Sequence, residues 1–180
     1  STLMKHPDIA VILATGGEAM VKAAYSSGNP AIGVGPGNGP AFIERTADPA
    51  TAVAMIIDSK TFDNGVICAS EQSVVVETVN ADAVISEFKR QGGYFLTADE
   101  SEKLAKFILR ANGTMNPEIV GKTAVKIAEM AGFYVPESTT VLLSRQTDAS
   151  KSNPYAREKL CPILAFYVEE SWLAACERCI

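Results

Sequence analysis

Cys68 lies in "TFDNGVICASEQ" (61–72), between a helix-ending Asn64-Gly65 pair and the small polar run Ala69-Ser70. A cysteine kept for packing prefers an apolar stripe. One kept for reaction needs a turn that exposes it and backbone amides aimed at it, and this stretch has that form. Its own N–H is then available to an oxyanion. A nearby amide dipole or cation would lower the thiol pKa and supply thiolate, the nucleophilic form. A second candidate is Thr15-Gly16-Gly17, a strand-to-helix turn whose N–H groups and helix dipole suit a diphosphate. A plain tight turn is its competing reading.

The elements that must hold these residues can be read from pattern. "DIAVILA" (8–14) is a continuous apolar run, as for a strand buried on both faces. "EAMVKAAYSSG" follows as a helix with Gly28 as its stop, and "PAIGVG" and "PAFIE" are short strands around a glycine-rich bend. Asp48 caps a helix with Pro49 at its first position, ending at Asn64-Gly65. "QSVVVE" (72–77) is a strand, and Asn80 starts the helix after it. Thr97 and Glu100 form a capping box opening "SEKLAKFIL". "GKTAVKIAEMAG" is a further helix, "TTVLLS" and "PILAFYV" are strands, and Ser171 caps the last helix. Residues 147–155 form a loop. Strands alternating with helices predict an α/β fold with a mostly parallel sheet flanked by helices.

Composition narrows the function. The 180 residues, 47% hydrophobic and 21% charged with mean hydropathy +0.11, can bury a good core. A formal charge of −5, with basic residues scattered, argues against nucleic acid and anionic membranes as partners. No apolar run reaches the roughly 18–20 residues that span a bilayer. The four cysteines, Cys68, Cys161, Cys176 and Cys179, read as reduced cytoplasmic thiols. Cys176 and Cys179 form C-x-x-C without a second pair or a histidine at ligand spacing, so packing is assigned to them, and no metal. Cys161 reads as structural, His6 as a surface residue, and Lys60 and Glu71 as a solvated helix end near Cys68.

"FDNGVICASEQ" resembles the active-site signature of the aldehyde dehydrogenase superfamily, in particular its coenzyme-A-acylating, acetaldehyde dehydrogenase branch. "ILATGGEAMVKAAYSSGNPAIGVGPGN" is similar to the segment joining cofactor and catalytic domains, and "REKLCPILAFY" to the late signature. The resemblance implies a cysteine nucleophile at Cys68 that forms a thioester. It implies NAD beside Thr15, Gly16, Gly17 and Gly33, with Glu158 at the nicotinamide ribose. Residues 1–32 would end an incomplete Rossmann-like NAD-binding domain, and 33–180 would form a catalytic domain lacking its C-terminal part. The chain thus reads as a piece of a longer enzyme.

Two departures decide the expected chemistry. Hydrolytic members carry a glutamate near Gly33 that activates water. "GVGPGNGP" (33–40) offers no carboxylate. Without a general base, water attack on a thioester is slow, and the thiol of coenzyme A would finish the cycle. Val66, where hydrolytic members usually have glutamine, agrees with the acylating branch. The implied partners are a short-chain aldehyde and coenzyme A, in a homo-oligomer fused to or associated with an alcohol dehydrogenase or a bacterial microcompartment. The competing readings are a hydrolytic enzyme and a non-catalytic nucleotide- or partner-binding domain.

Overall fold

The computed structural model describes residues 2–180, which divide into two compact units, one ending at Gly37 and the other starting at Asn38. In the first unit, strand β1 (Ile12–Thr15) leads through helix α1 (Glu18–Tyr25) to strand β2 (Ala31–Val34). The two strands pair in parallel from Ile12↔Ala31 to Thr15↔Val34. β1 is shorter than the strand read over 8–14, and it is not buried on both faces. Val11 and Leu13 are 57% and 72% exposed, and only Ala14 is buried. β1 has a single hydrogen-bonded neighbour, β2. α1 also closes before Gly28. The Ser26 N–H bonds the Lys22 carbonyl at 3.0 Å, and the Ser27 hydroxyl accepts from the Asn29 N–H at 3.2 Å. Serine competes with the helix for backbone partners in this way.

The second unit is built on a five-stranded parallel sheet. Its elements are β3 (Gly39–Ile43), α2 (Pro49–Thr61), β4 (Glu71–Glu77), α3 (Thr78–Arg90), β5 (Gly93–Phe95), α4 (Ala98–Ile108), α5 (Ala124–Met130), β6 (Val141–Arg145), β7 (Ile163–Glu169) and α6 (Trp172–Cys179). The strand order is β3-β4-β7-β6-β5, and every neighbouring pair is parallel. Parallel strands need crossovers, and helices on both faces supply them.

Period-two alternation assigns each strand residue to a face. Val74, Val76, Leu143, Leu164 and Phe166 join Val53, Ile56 and Ile57 of α2 and Val84, Ile85 and Phe88 of α3 in one core. Val75, Leu142, Ile163, Ala165 and Tyr167 join Leu104, Ile108, Ile127 and Ala175 of α4, α5 and α6 in the other. In the first core Phe88, Phe95 and Phe166 meet edge to face, with centroids 6.3, 6.3 and 5.1 Å apart.

The helix starts at Asp48, Thr97 and Ser171 follow the cap chemistry read from the sequence. Asp48 accepts from the Thr51 N–H at 2.9 Å, Thr97 from the Glu100 N–H at 3.3 Å, and Ser171 from the Ala174 N–H at 3.2 Å. α3, however, begins at Thr78, ahead of Asn80. The Asn80 side chain accepts from the Glu77 N–H at 3.1 Å and donates to the Ile43 carbonyl at 2.9 Å, which fastens the helix start to β3. Glu77 is buried and ion-paired with Arg45, whose Nε lies 3.0 and 3.1 Å from its two oxygens. That hydrogen-bonded guanidinium holds the Glu77 carboxyl below the usual range. No helix among the described residues is long and apolar enough to cross a membrane.

Truncating Phe88, which is fully buried against Phe95 and Phe166, leaves a cavity in the first core. Phe88→Ala should cost about 3–5 kcal/mol, read as a lower urea midpoint with an unchanged slope.

Candidate active site

α2 stops at Thr61, and a short 3₁₀ turn (Phe62–Gly65) carries the chain toward Cys68. Three consecutive residues there are left-handed: Asp63 (φ +47°), Asn64 (φ +52°) and Gly65 (φ +76°). Asp and Asn are among the few side chains that tolerate this region, and glycine is indifferent to it. At Gly65 a second constraint applies. A Cβ would lie 2.9 Å from the Cys161 carbonyl carbon and 2.9 Å from the Lys60 carbonyl oxygen. The backbone of the 62–72 segment therefore packs directly on that of the 157–162 segment.

Past Gly65 the chain makes a tight turn, closed by the Ser70 N–H on the Ile67 carbonyl at 3.1 Å. Gly65 and Ser70 are buried at its base, while Ile67, Cys68 and Ala69 are exposed at its tip. The turn thus presents the Cys68 thiol outward from a rigid base.

Beneath the turn lie two fully buried lysines. The Lys60 ammonium donates to the Ser70 hydroxyl at 3.3 Å, and burial pushes its pKa down to about 8. Lys60 is thus no solvated helix end. Glu71 also departs from that reading: its Oε2 is buried without a hydrogen-bond partner among the described residues. Lys159 donates through Nζ to three main-chain carbonyls, those of Tyr155 at 2.7 Å, Arg157 at 2.8 Å and Gln72 at 3.1 Å. Its backbone N–H reaches the side-chain oxygen of buried Gln72 at 3.0 Å, and the Gln72 amide donates to the Ser70 carbonyl at 3.3 Å. Burial, followed by repulsion from Lys60, pushes the Lys159 pKa down to about 7. Cys161 is buried beside them, and burial pushes its thiol up to about 12, so it stays protonated at neutral pH.

Glu158 is partly exposed, one residue before this anchor. Leu160 follows in the left-handed region (φ +48°), and its carbonyl accepts from the Gly121 N–H at 3.1 Å. Cys68 and Glu158, far apart in sequence, are therefore held on touching segments. Both precede neighbouring parallel strands, β4 and β7, and so lie at the N-terminal ends of those strands. Open α/β sheets more often place ligands at the carboxyl ends.

The remaining candidates belong to the first unit. Thr15, Gly16 and Gly17 form an exposed turn between β1 and α1, with the Gly16 N–H on the Val34 carbonyl at 3.1 Å. Gly17 is the N-cap of α1, and no side chain caps that end. Gly33 lies on β2 opposite Ala14, under α1. A Cβ there would overlap Val21 and Tyr25, and its N–H is taken by the Tyr25 hydroxyl at 2.9 Å. Cys176 and Cys179 are partly buried on α6, with Cys179 against the core, and His6 is exposed.

Sequence reasoning did not single out Lys159 or Gln72. The signal was a lysine directly ahead of an apolar strand, where a charge has to find partners or leave the interior.

The description of the aldehyde dehydrogenase family matches residues 1–100, and the chain belongs to that family. Among its relatives, the bifunctional aldehyde-alcohol dehydrogenase AdhE of Escherichia coli K12 is 55% identical over 178 residues, covering 99% of this chain and 20% of that protein. The crystal structure of a probable aldehyde dehydrogenase from Listeria monocytogenes EGD-e has a TM-score of 0.95 at 66% identity, covering 97% of this chain and 39% of that one. A propionaldehyde dehydrogenase of Rhodopseudomonas palustris, solved with bound CoA and an acylated cysteine, has a TM-score of 0.88 at 30% identity, covering 99% of this chain and 40% of that one. The chain therefore spans about a fifth of the curated relative and about two fifths of the solved ones.

Iodoacetamide at neutral pH should modify Cys68 well before Cys161 in the folded protein. Peptide mass mapping that finds Cys161 labelled at a comparable rate would contradict this placement.

Proposed function

We propose that this chain carries the thioester-forming centre of an NAD-dependent, CoA-acylating aldehyde dehydrogenase, and that it acts as part of a longer polypeptide. The observation that carries the reading is Cys68, exposed at the tip of a turn with a rigid base, inside the family's signature segment. The absence of any carboxylate in residues 33–40 supports thiol over water as the acyl acceptor. The R. palustris relative, with its bound CoA and acylated cysteine, supports the same choice.

In this mechanism the Cys68 thiolate adds to the aldehyde carbon, and the carbonyl π electrons move to oxygen. The Cys68 backbone N–H stabilises that oxyanion, joined by an asparagine side chain outside this chain that the family resemblance implies. NAD, when bound, supplies a hydride acceptor. As the oxyanion collapses, the hydrogen leaves the former aldehyde carbon with its electron pair, and a thioester remains on Cys68. The deprotonated thiol of coenzyme A then attacks this thioester. The C–S bond to Cys68 breaks, and the thiolate is regenerated. Overall, aldehyde, NAD⁺ and coenzyme A give acyl-CoA, NADH and one proton, and each step is reversible.

On the cofactor side, the exposed Thr15-Gly16-Gly17 turn at the α1 N-terminus fits a diphosphate. Gly33 keeps α1 close to the strands beside it. Glu158 orients the nicotinamide ribose. The enzyme is assigned to the cytoplasm, or to a bacterial microcompartment, as a homo-oligomer. The bifunctional E. coli relative supports fusion to an alcohol dehydrogenase.

NADH formation from a short-chain aldehyde should depend on coenzyme A, and Cys68→Ala should reduce it below detection. Equal rates with and without coenzyme A, giving free acid, would favour the hydrolytic reading. Turnover that survives Cys68→Ala would end both.

A further inference from the structure

Lys159 is buried to 0% exposure, yet none of its three Nζ bonds goes to a carboxylate. An ammonium has three N–H donors, and the three carbonyls use all of them. A neutral amine has two and would leave one buried carbonyl unpaired. The carbonyls come from two segments: Tyr155 and Arg157 lie within the loop, and Gln72 is the second residue of the neighbouring strand β4. The Gln72 side chain ties the Lys159 backbone on one side and the Ser70 carbonyl on the other. The Cys68 turn has an anchor that does not involve Lys159 in the Lys60–Ser70 bond. The loop holding Glu158 is tied outward by the Tyr155 hydroxyl on the Ser101 carbonyl at 2.7 Å and by Arg157 on the Gly113 carbonyl at 3.0 Å, while Lys159 ties it to β4 through both its backbone N–H and its ammonium.

We propose that Lys159 is a positioning residue: its charged ammonium locks the 155–159 loop onto β4 and so sets Glu158 against the nicotinamide ribose. The inference rests on the Glu158 assignment made above. It also makes cofactor affinity sensitive to pH. The titratable groups around Lys159 are Lys60 from α2, with Glu158 and the protonated Cys161 from its own segment. Glu71, at the start of β4, acts on Lys60. With the Lys159 pKa lowered to about 7, the ammonium is half lost near that pH, nearly complete well below it and lost as pH rises further. The loop therefore loosens on the alkaline side.

The test uses the complete enzyme, with NADH binding followed by fluorescence titration and the KM for NAD followed by turnover. In the wild type both constants should rise as pH goes from neutral to mildly alkaline. Lys159→Met should raise both by about tenfold at neutral pH, since small displacements of a positioning group cost one to two decades, and should flatten their pH dependence. The iodoacetamide rate of Cys68 should stay within about twofold of the wild type. Lys60→Met removes the neighbouring charge, so its rise should move to higher pH. A Lys159→Met enzyme that melts lower but keeps wild-type constants and pH dependence would overturn the proposal and leave Lys159 merely structural. Should that variant fail to fold, the Lys60→Met shift decides, and an unmoved rise overturns the proposal. A wild type that binds NADH but oxidises no aldehyde would instead defeat the reading of function, and the binding arm would still stand.

Discussion

The parallel pairing of β4 with β7, from Ser73↔Ala165 to Glu77↔Glu169, is the constraint on which the rest of this structure depends. Parallel strands begin at the same end, so the segments that feed them must arrive side by side. One segment brings Cys68 and the other Glu158. Local structure alone would not bring these segments together, because roughly ninety residues and several helices separate them. Once the strands are zipped, Gly65 can lie on Cys161, and the Gln72 side chain can reach Lys159. The two segments are thus brought together by a sheet contact that itself contains no chemistry.

The two ends of β4 handle charge differently. At the carboxyl end, Glu77 is matched by a guanidinium that fits both of its oxygens, a strong and directional pair. At the amino end, two lysines lie close enough to repel one another, and Lys159 is satisfied only by peptide dipoles. An unpaired charge is costly inside a protein unless the backbone solvates it. The arrangement is therefore tolerated only while the carbonyls stay in place. A region with this dependence is rigid when intact and responsive when the charge changes.

Much of the fold could be read from the chain because its signals are local. The side chains of Asp48, Thr97 and Ser171 each find a helix N–H within three residues, so their types alone mark a start. The apolar runs at 72–77 and 162–168 become central strands because both faces are covered. At 8–14 the run is equally apolar, and among the described residues β1 has only β2 beside it. β5 is a strand of three residues, too short to show alternation. Asn80 looks like a cap, but its amide is spent on Ile43, a contact that only the folded sheet creates. The same holds at the site. Exposure of Cys68 follows from turn residues next to it, whereas the burial of Lys60 and Lys159 follows from a partner segment that no local window contains.

The spacing between Cys68 and Ser73, and between Glu158 and Ile163, carries a further meaning. Each side chain is a fixed number of steps from a strand whose alternation is locked between two apolar cores. An extra residue in either lead-in would swing one chemical group away from the other, or turn a core valine toward the wrong layer. These two short stretches should thus be intolerant of any change in length over evolutionary time. The exposed stretch at 147–152 is held at the Asp148 carbonyl by Tyr167 and Asn153, so changes in length past Asp148 should be tolerated better there.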